Sequence, residues 1–280
     1  GLFFMTNDAF WEYQHRCYQK QPFPRSIRYE SWQPGRWAAN RAAIRILRPL
    51  LSHVYTVCEV GAGSAAFCLE LGRQLGSELR AVDLCPSAAA YATEIAKDMG
   101  IPLRYQVGDL FSYSEKSDLV LSLGVIEHFS PKRQMEFLTQ CKSLSNRYVL
   151  VAIPNQDSLI FRNYAAWCNR ASKAYVEQHF SLTTDALAAL ISRAGMHVLR
   201  KDGFQVFLSE RAFWNDTPAD TIPLYAHLRD AIAALPGHWA DFPQMDFTYE
   251  DIPNMESLEM SLTPEQRLQY GFMSYVLAQV

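Results

Sequence analysis

No charge of one sign dominates the 280 residues: 26 Lys and Arg stand against 29 Asp and Glu, a formal net charge of −3. Nucleic-acid binders ordinarily carry a basic face, so no nucleic-acid partner is expected. Cysteine is sparse and unpatterned. Cys17, Cys58, Cys68, Cys85, Cys141 and Cys168 form no C-x-x-C pair, and no His pair completes a zinc set. No metal is expected. Cys58 and Cys68 lie in apolar runs, where a free thiol behaves as a small hydrophobe. That favours a reducing, cytoplasmic setting. No apolar run approaches the length of a membrane span. The opening GLFFMTNDAF is apolar only briefly and lacks the basic flank of a secretory signal. Internal repeats and low-complexity tracts are also missing.

What is present is apolar substance, 49% of the chain, in alternating strand-like and helix-like segments. VYTVCEV (54–60) reads as a short buried strand ending at Gly61. Phe67, Leu71 and Leu75 then fall four apart, a helical spacing. ELRAVDL (78–84) is a second strand, and Pro86 suits the first turn of the Ala-rich helix that Gly100 ends. LRYQV (103–107), SDLVLSLG (117–124) and RYVLVAI (147–153) read as further strands, with an amphipathic helix at 131–144 before the last of them. A helix at 183–195, the strand MHVLRK and a closing strand FMSYVLAQV complete the pattern. Strands buried on both faces and separated by helices imply a mostly parallel sheet with crossovers. A ligand then belongs at the carboxyl ends of the strands, at the topological switch point.

The segment EVGAGSA (59–65) carries the chemistry. A strand ends in a glycine turn, where the backbone bends sharply and lets a ligand approach. Asp83 follows Gly63 by twenty residues, at the tip of the next strand, where a carboxylate can accept from ribose hydroxyls. With Ala66 in third place, G-x-G-x-x-A also fits a nicotinamide dinucleotide site. Glu59 argues against it, because a carboxylate there would repel a pyrophosphate and suits a ligand carrying ammonium and sulfonium. No Tyr-x-x-x-Lys pair supports an oxidoreductase either.

VCEVGAGSA resembles motif I of the class I S-adenosylmethionine-dependent methyltransferases, and AVDLCPSA resembles their second-strand acidic motif. VGDL (107–110), LSLGVIEHF (121–129) and QHFSLTTDALAALISRAGMHVL (178–199) resemble later motifs of the small-molecule branch, in order and at ordinary spacing. The resemblance spans roughly residues 54–202. It implies a Rossmann-like, doubly wound α/β fold with a seven-stranded, mostly parallel sheet, and S-adenosylmethionine as cofactor. Glu59 and the backbone of Gly61, Ala62, Gly63 and Ser64 would face the methionine part. Asp83 and Leu84 would hold the ribose, Asp109 and Leu110 the adenine. Leu123, Gly124 and Val125 would line the sulfonium side. The expected reaction is methyl transfer to an oxygen, nitrogen or carbon of a small molecule.

For catalysis, Glu127 and His128 lie just past the fourth strand, and His128 could take a proton from a substrate hydroxyl or amine. Its bland alternative is a packing residue at a helix start, since transfer from a sulfonium needs little beyond positioning and desolvation. Tyr175 is a further candidate. An Asn/Asp-Pro-Pro-aromatic tetrad, expected of a DNA amino-methyltransferase, is absent after the fourth strand. Three rivals stay open: cyclisation of the cofactor to azetidine-2-carboxylate with release of methylthioadenosine, a nicotinamide-dependent oxidoreductase, and a binding module without chemistry.

Two segments stand outside the alternating pattern. Residues 1–37 hold ten aromatics, read as a helical cap that packs on the core and sends one or two rings to the ligand. Residues 204–268 hold six of the fourteen prolines, with eleven Asp or Glu against three Arg. This reads as an acidic, solvated insertion before the last strand and a candidate substrate lid. The expected division is a cap over 1–50, a cofactor-binding core over 51–203, the insertion over 204–268 and the last strand over 269–280.

Overall fold

Seven apolar segments form the sheet, and their order places the site. A computed structural model describes residues 7–170, 180–218 and 221–280. Three helices come first: α1 (Asn7–Gln19), α2 (Arg25–Ser31) and α3 (Pro34–Leu47). The core then alternates: β1 (Thr56–Val60), α4 (Ala66–Leu75), β2 (Glu78–Asp83), α5 (Pro86–Met99), β3 (Leu103–Val107), β4 (Ser117–Leu123), α6 (Pro131–Leu144) and β5 (Ser145–Pro154). Next come α7 (Leu159–Arg170), α8 (Thr184–Arg193) and β6 (His197–Phe204). Short helices follow, α9 (Arg211–Asp216), α10 (Pro223–His227), α11 (Arg229–Ala233), α12 (Ile252–Met260) and α13 (Pro264–Tyr270), before β7 (Met273–Gln279).

The strand order is β3-β2-β1-β4-β5-β7-β6. The first five are parallel, and β7 runs antiparallel to both β5 and β6. The chain winds outward from β1 to β3, then returns to lay β4 beside β1. The crevice at the carboxyl ends of β1 and β4 is therefore the switch point where such sheets bind ligands.

Alternation along the strands builds two cores. Val57, Leu119 and Leu121 face a layer that includes α3, α4 and α5. Cys58, Val60, Val120 and Val149 face the layer of α6 and α8. Helix α6 begins with Pro131 at its first position and buries Phe137, Leu138, Cys141 and Leu144. Each large apolar side chain buried this way contributes about 1.5–3 kcal/mol.

The N-terminal helices dock on α5 through a row of polar contacts. Ser87 N–H donates to Asp8 Oδ1 at 2.9 Å. His15 and Gln19 both meet Glu94, and Tyr18 Oη donates to Asp98 at 2.7 Å.

The segment before β7 keeps Asp216, Asp230, Asp241, Asp246, Glu250 and Glu265 at the surface, as an acidic solvated face, over a core of its own. Its short helices enclose an aromatic cluster of Phe207, Trp214, Tyr225, Trp239 and Phe242. Asp251, Glu256 and Glu259 are buried within it. Arg267 ties α13 to β6 by donating to both oxygens of Asp202, at 3.0 and 3.1 Å. Its backbone passes so near that a Cβ on Gly203 would lie 1.9 Å from the Arg267 carbonyl oxygen. Helix α7 has no counterpart in the pattern read from the sequence.

Candidate cofactor and active site

The glycine turn forms because three of its residues adopt positive φ: Gly61 at 63°, Gly63 at 52° and Ala65 at 55°. Glycine is required at Gly63 by contact as well as by conformation. A Cβ there would lie 2.3 Å from Cζ2 of Trp11, whose indole covers the turn from α1. A Cβ on Gly61 would lie 2.6 Å from Cγ2 of Val125, just past β4. The turn is thus walled by the cap on one side and the β4 loop on another.

Two side chains clamp the Gly63 peptide groups. Asp83 Oδ2 accepts from Gly63 N–H at 2.9 Å, and its Oδ1 accepts from Cys85 N–H at 3.0 Å. Tyr105 Oη donates to the Gly63 carbonyl at 2.8 Å. The parallel register aligns Glu59, Ala81 and Tyr105 across β1, β2 and β3, which puts Tyr105 on the face of the turn.

Glu59 is 4% exposed and its carboxyl makes no hydrogen bond with a described residue. Burial, and then the charge of Asp83, hold its pKa well above the ordinary range, against a smaller pull from Arg36. A lone buried carboxyl beside a second acid is costly as an anion. A cation would relieve it, which fits the donor set to an ammonium- and sulfonium-bearing ligand and not to a pyrophosphate.

The other predicted positions gather nearby. Ala62 and Ser64 are buried in the turn, and Leu84 stands 68% exposed just beyond Asp83. Asp109 begins a single 3-10 turn, its Oδ1 accepting from Phe111 N–H at 2.9 Å, with Leu110 next to it. Leu123, Gly124 and Val125 are half-buried at the end of β4. Glu127 is not a rim residue. It is 3% exposed, and its Oε2 has no hydrogen-bond partner. Burial pushes its pKa up to about 7. His128 lies on the outer side, Nε2 at 3.8 Å from Glu127 Oε1, with its pKa lowered first by burial and partly restored by the Gly124 carbonyl. Tyr175 lies outside the described residues.

Sequence reasoning missed Tyr105, whose signal was its place in register with Glu59. It read most of the cap's aromatics as packing on the core, and Trp11 packs on the glycine turn. Among the described residues no cluster of three His, Cys, Asp or Glu could hold a metal, and no helix is long and apolar enough to cross a membrane.

Residues 57–147 match the family described as a methyltransferase domain. No curated protein matches the chain. Among solved structures, magnesium protoporphyrin IX methyltransferase from Synechocystis, with S-adenosylhomocysteine bound, is 15% identical. It aligns over 71% of this chain and 89% of its own with a TM-score of 0.54. A SAM-dependent methyltransferase from Archaeoglobus fulgidus is 18% identical over 86% and 92%, at TM-score 0.50. A cyclopropane synthase from Mycobacterium tuberculosis is 15% identical over 85% and 82%, at TM-score 0.50. At such identities the likeness is one of fold.

Proposed function

We propose that the chain is a class I S-adenosylmethionine-dependent methyltransferase that methylates an oxygen, nitrogen or carbon of a small molecule, a reading supported by the methyltransferase-domain match over residues 57–147 and by the fold. The observation that carries the reading is Glu59, buried beside Asp83 at a glycine turn and without a hydrogen-bond partner among the described residues, a carboxyl that a cation would draw into its ionised form.

In this reading Glu59 and the backbone from Gly61 through Ser64 hold the methionine end. Asp83 keeps lone pairs free for ribose hydroxyls while its backbone bonds fix the turn, and Leu84 offers an apolar surface beside it. Asp109 and Leu110 border the adenine, and Leu123, Gly124 and Val125 border the sulfonium. When bound, the cofactor supplies an electrophilic methyl carbon. This chain's own residues bring the nucleophile into line and exclude water, which accounts for most of the acceleration such a transfer needs. His128, its pKa lowered by partial desolvation, can accept a proton from a substrate hydroxyl or amine. Glu127, behind it, can take up that charge in part. Tyr175 is retained as a candidate substrate contact. The helical cap over 1–50 and the segment over 204–268 would close the substrate side, and the cytoplasm is the proposed setting.

The test is incubation of the purified protein with S-adenosylmethionine, with and without a panel of small hydroxyl, amine and carbon acids, and mass spectrometry of the products. S-adenosylhomocysteine forming only with an acceptor is expected. Methylthioadenosine forming without any acceptor would overturn methyl transfer in favour of cyclisation.

A further inference from the structure

Gly124 follows β4, the middle strand of the sheet, with φ at 68°. Apart from its chain neighbours, a Cβ built on it would meet one atom of the described residues within 4 Å, Oε1 of Glu127 at 3.4 Å. The Glu127 carboxyl therefore borders open space at the carboxyl end of β4. Its Oε2 is buried without a hydrogen-bond partner. Among the described residues no arginine or lysine pairs with it, and the nearest basic group is His128, whose Nε2 lies 3.8 Å from Oε1. The His128 ring interacts with the Gly124 carbonyl and its side chain is 43% exposed, so it stands between Glu127 and solvent. Burial lifts the Glu127 carboxyl to about 7.

In the reading above Gly124 borders the sulfonium, so a group filling this space stands beside the methyl carbon. A buried carboxylate without a partner calls for a hydrogen-bond donor and a positive charge. A carbon acid offers neither. A neutral hydroxyl offers one donor and leaves the charge uncompensated. An ammonium supplies both. It would also be repelled by the sulfonium unless an anion stood beside it. We propose that the acceptor is an amine, which enters as its ammonium, and that the Glu127 carboxylate binds it and takes its proton. This rests on the methyltransferase reading and narrows the acceptor atom to nitrogen. The N–H bond breaks, the proton passes to a Glu127 oxygen, and the pair becomes a neutral amine and a neutral carboxyl. Burial favours that neutral pair from both sides, because it raises the carboxyl's affinity for the proton and lowers the ammonium's. The freed nitrogen lone pair forms the new bond to the methyl carbon as the carbon–sulfur pair returns to sulfur. The product leaves as a methylated ammonium, and the proton on Glu127 returns to solvent by way of His128.

The experiment compares three ligands by calorimetry on the full chain, unaltered and as Glu127→Gln. Sinefungin carries an amine-bearing carbon in place of the sulfonium and its methyl. S-adenosylmethionine carries the positive charge there without an N–H, and S-adenosylhomocysteine carries neither. Glu127→Gln should weaken sinefungin by about tenfold to a hundredfold, the range for a lost charge-assisted bond. It should weaken S-adenosylmethionine less and leave S-adenosylhomocysteine unchanged, which a merely structural role would not do. Glu127→Asp, which keeps the charge, should retain more of the sinefungin affinity. Glutamine keeps the volume and removes a buried ionisable group, so the fold is retained. Equal loss for sinefungin and S-adenosylmethionine, or no loss for sinefungin, would overturn the assignment. So would a hydroxyl or carbon acceptor methylated equally fast by the unaltered protein and Glu127→Gln. If the unaltered protein bound none of the three ligands, the cofactor reading itself would fall.

Discussion

Glu127→Gln isolates the cost of the buried carboxyl behind His128. Burial raises this group from 4.5 to about 7. A carboxyl with a raised folded pKa lends stability that is complete below the unfolded value and is lost as pH rises through the folded one. At 1.36 kcal/mol per tenfold change in proton affinity, ionised Glu127 costs the folded state ~3 kcal/mol. Glutamine never ionises, so its own burial cost does not vary with pH. The stability of Glu127→Gln relative to the unaltered protein should therefore grow by about 2–3 kcal/mol between roughly pH 5 and pH 8. In a chain of this size that is a relative rise in Tm of roughly 5 °C. Thermal unfolding of both proteins across that range reads it directly. Glu59 and Glu259 shift in the same direction but are common to both proteins and cancel. Parallel pH profiles would refute the argument, because they would mean that Glu127 finds a partner or solvent when charged.

Three further outcomes follow from contacts already described. Gly63→Ala should destabilise by about 1–2 kcal/mol from its left-handed φ alone, and further from the Trp11 ring. Adding Trp11→Ala should recover the second part, measured as a coupling in a double-mutant cycle. Gly203→Ala drives a Cβ into the Arg267 carbonyl, and denaturant unfolding should show a loss of about 3 kcal/mol or more. For Glu59, a cationic ligand favours the ionised form that burial and Asp83 disfavour. Ligand affinity should rise with pH up to the raised pKa and then level off, and calorimetry should show proton release on binding. Glu59→Gln should bind more weakly with a flat profile, and equal pH dependence in the two proteins would count against it.

The sheet was legible because its strands carry local signals. β4 is apolar on both faces, and α6 runs from Pro131 to Leu144 as its amphipathic spacing foretells. The placement of the candidate site was legible where glycines and strand ends coincide, with Glu59, Gly61, Gly63 and Asp83 at the carboxyl ends of β1 and β2. In the segment before β7 the exposed acids, Asp230, Asp241, Asp246 and Glu265 among them, were legible as a solvated face, and the core beneath them was not. Glu259 is buried there, its Oε1 accepting from Gln205 N–H, and Asp251 accepts from Trp239. Its helices α9, α10 and α11 span only five or six residues each, too few for a periodic pattern to emerge. Tyr105 could not be singled out for a related reason. Its importance comes from a neighbour distant in sequence, Gly63.

The central claim is that the carboxyl ends of β1 and β2 bind S-adenosylmethionine through Asp83 and the glycine turn. Calorimetric titration of S-adenosylhomocysteine into the unaltered protein and Asp83→Ala tests it most directly. The account predicts one-to-one binding that weakens at least tenfold in the variant, with both proteins folded by circular dichroism. Equal affinity in the two, or no binding to the unaltered protein, would contradict it.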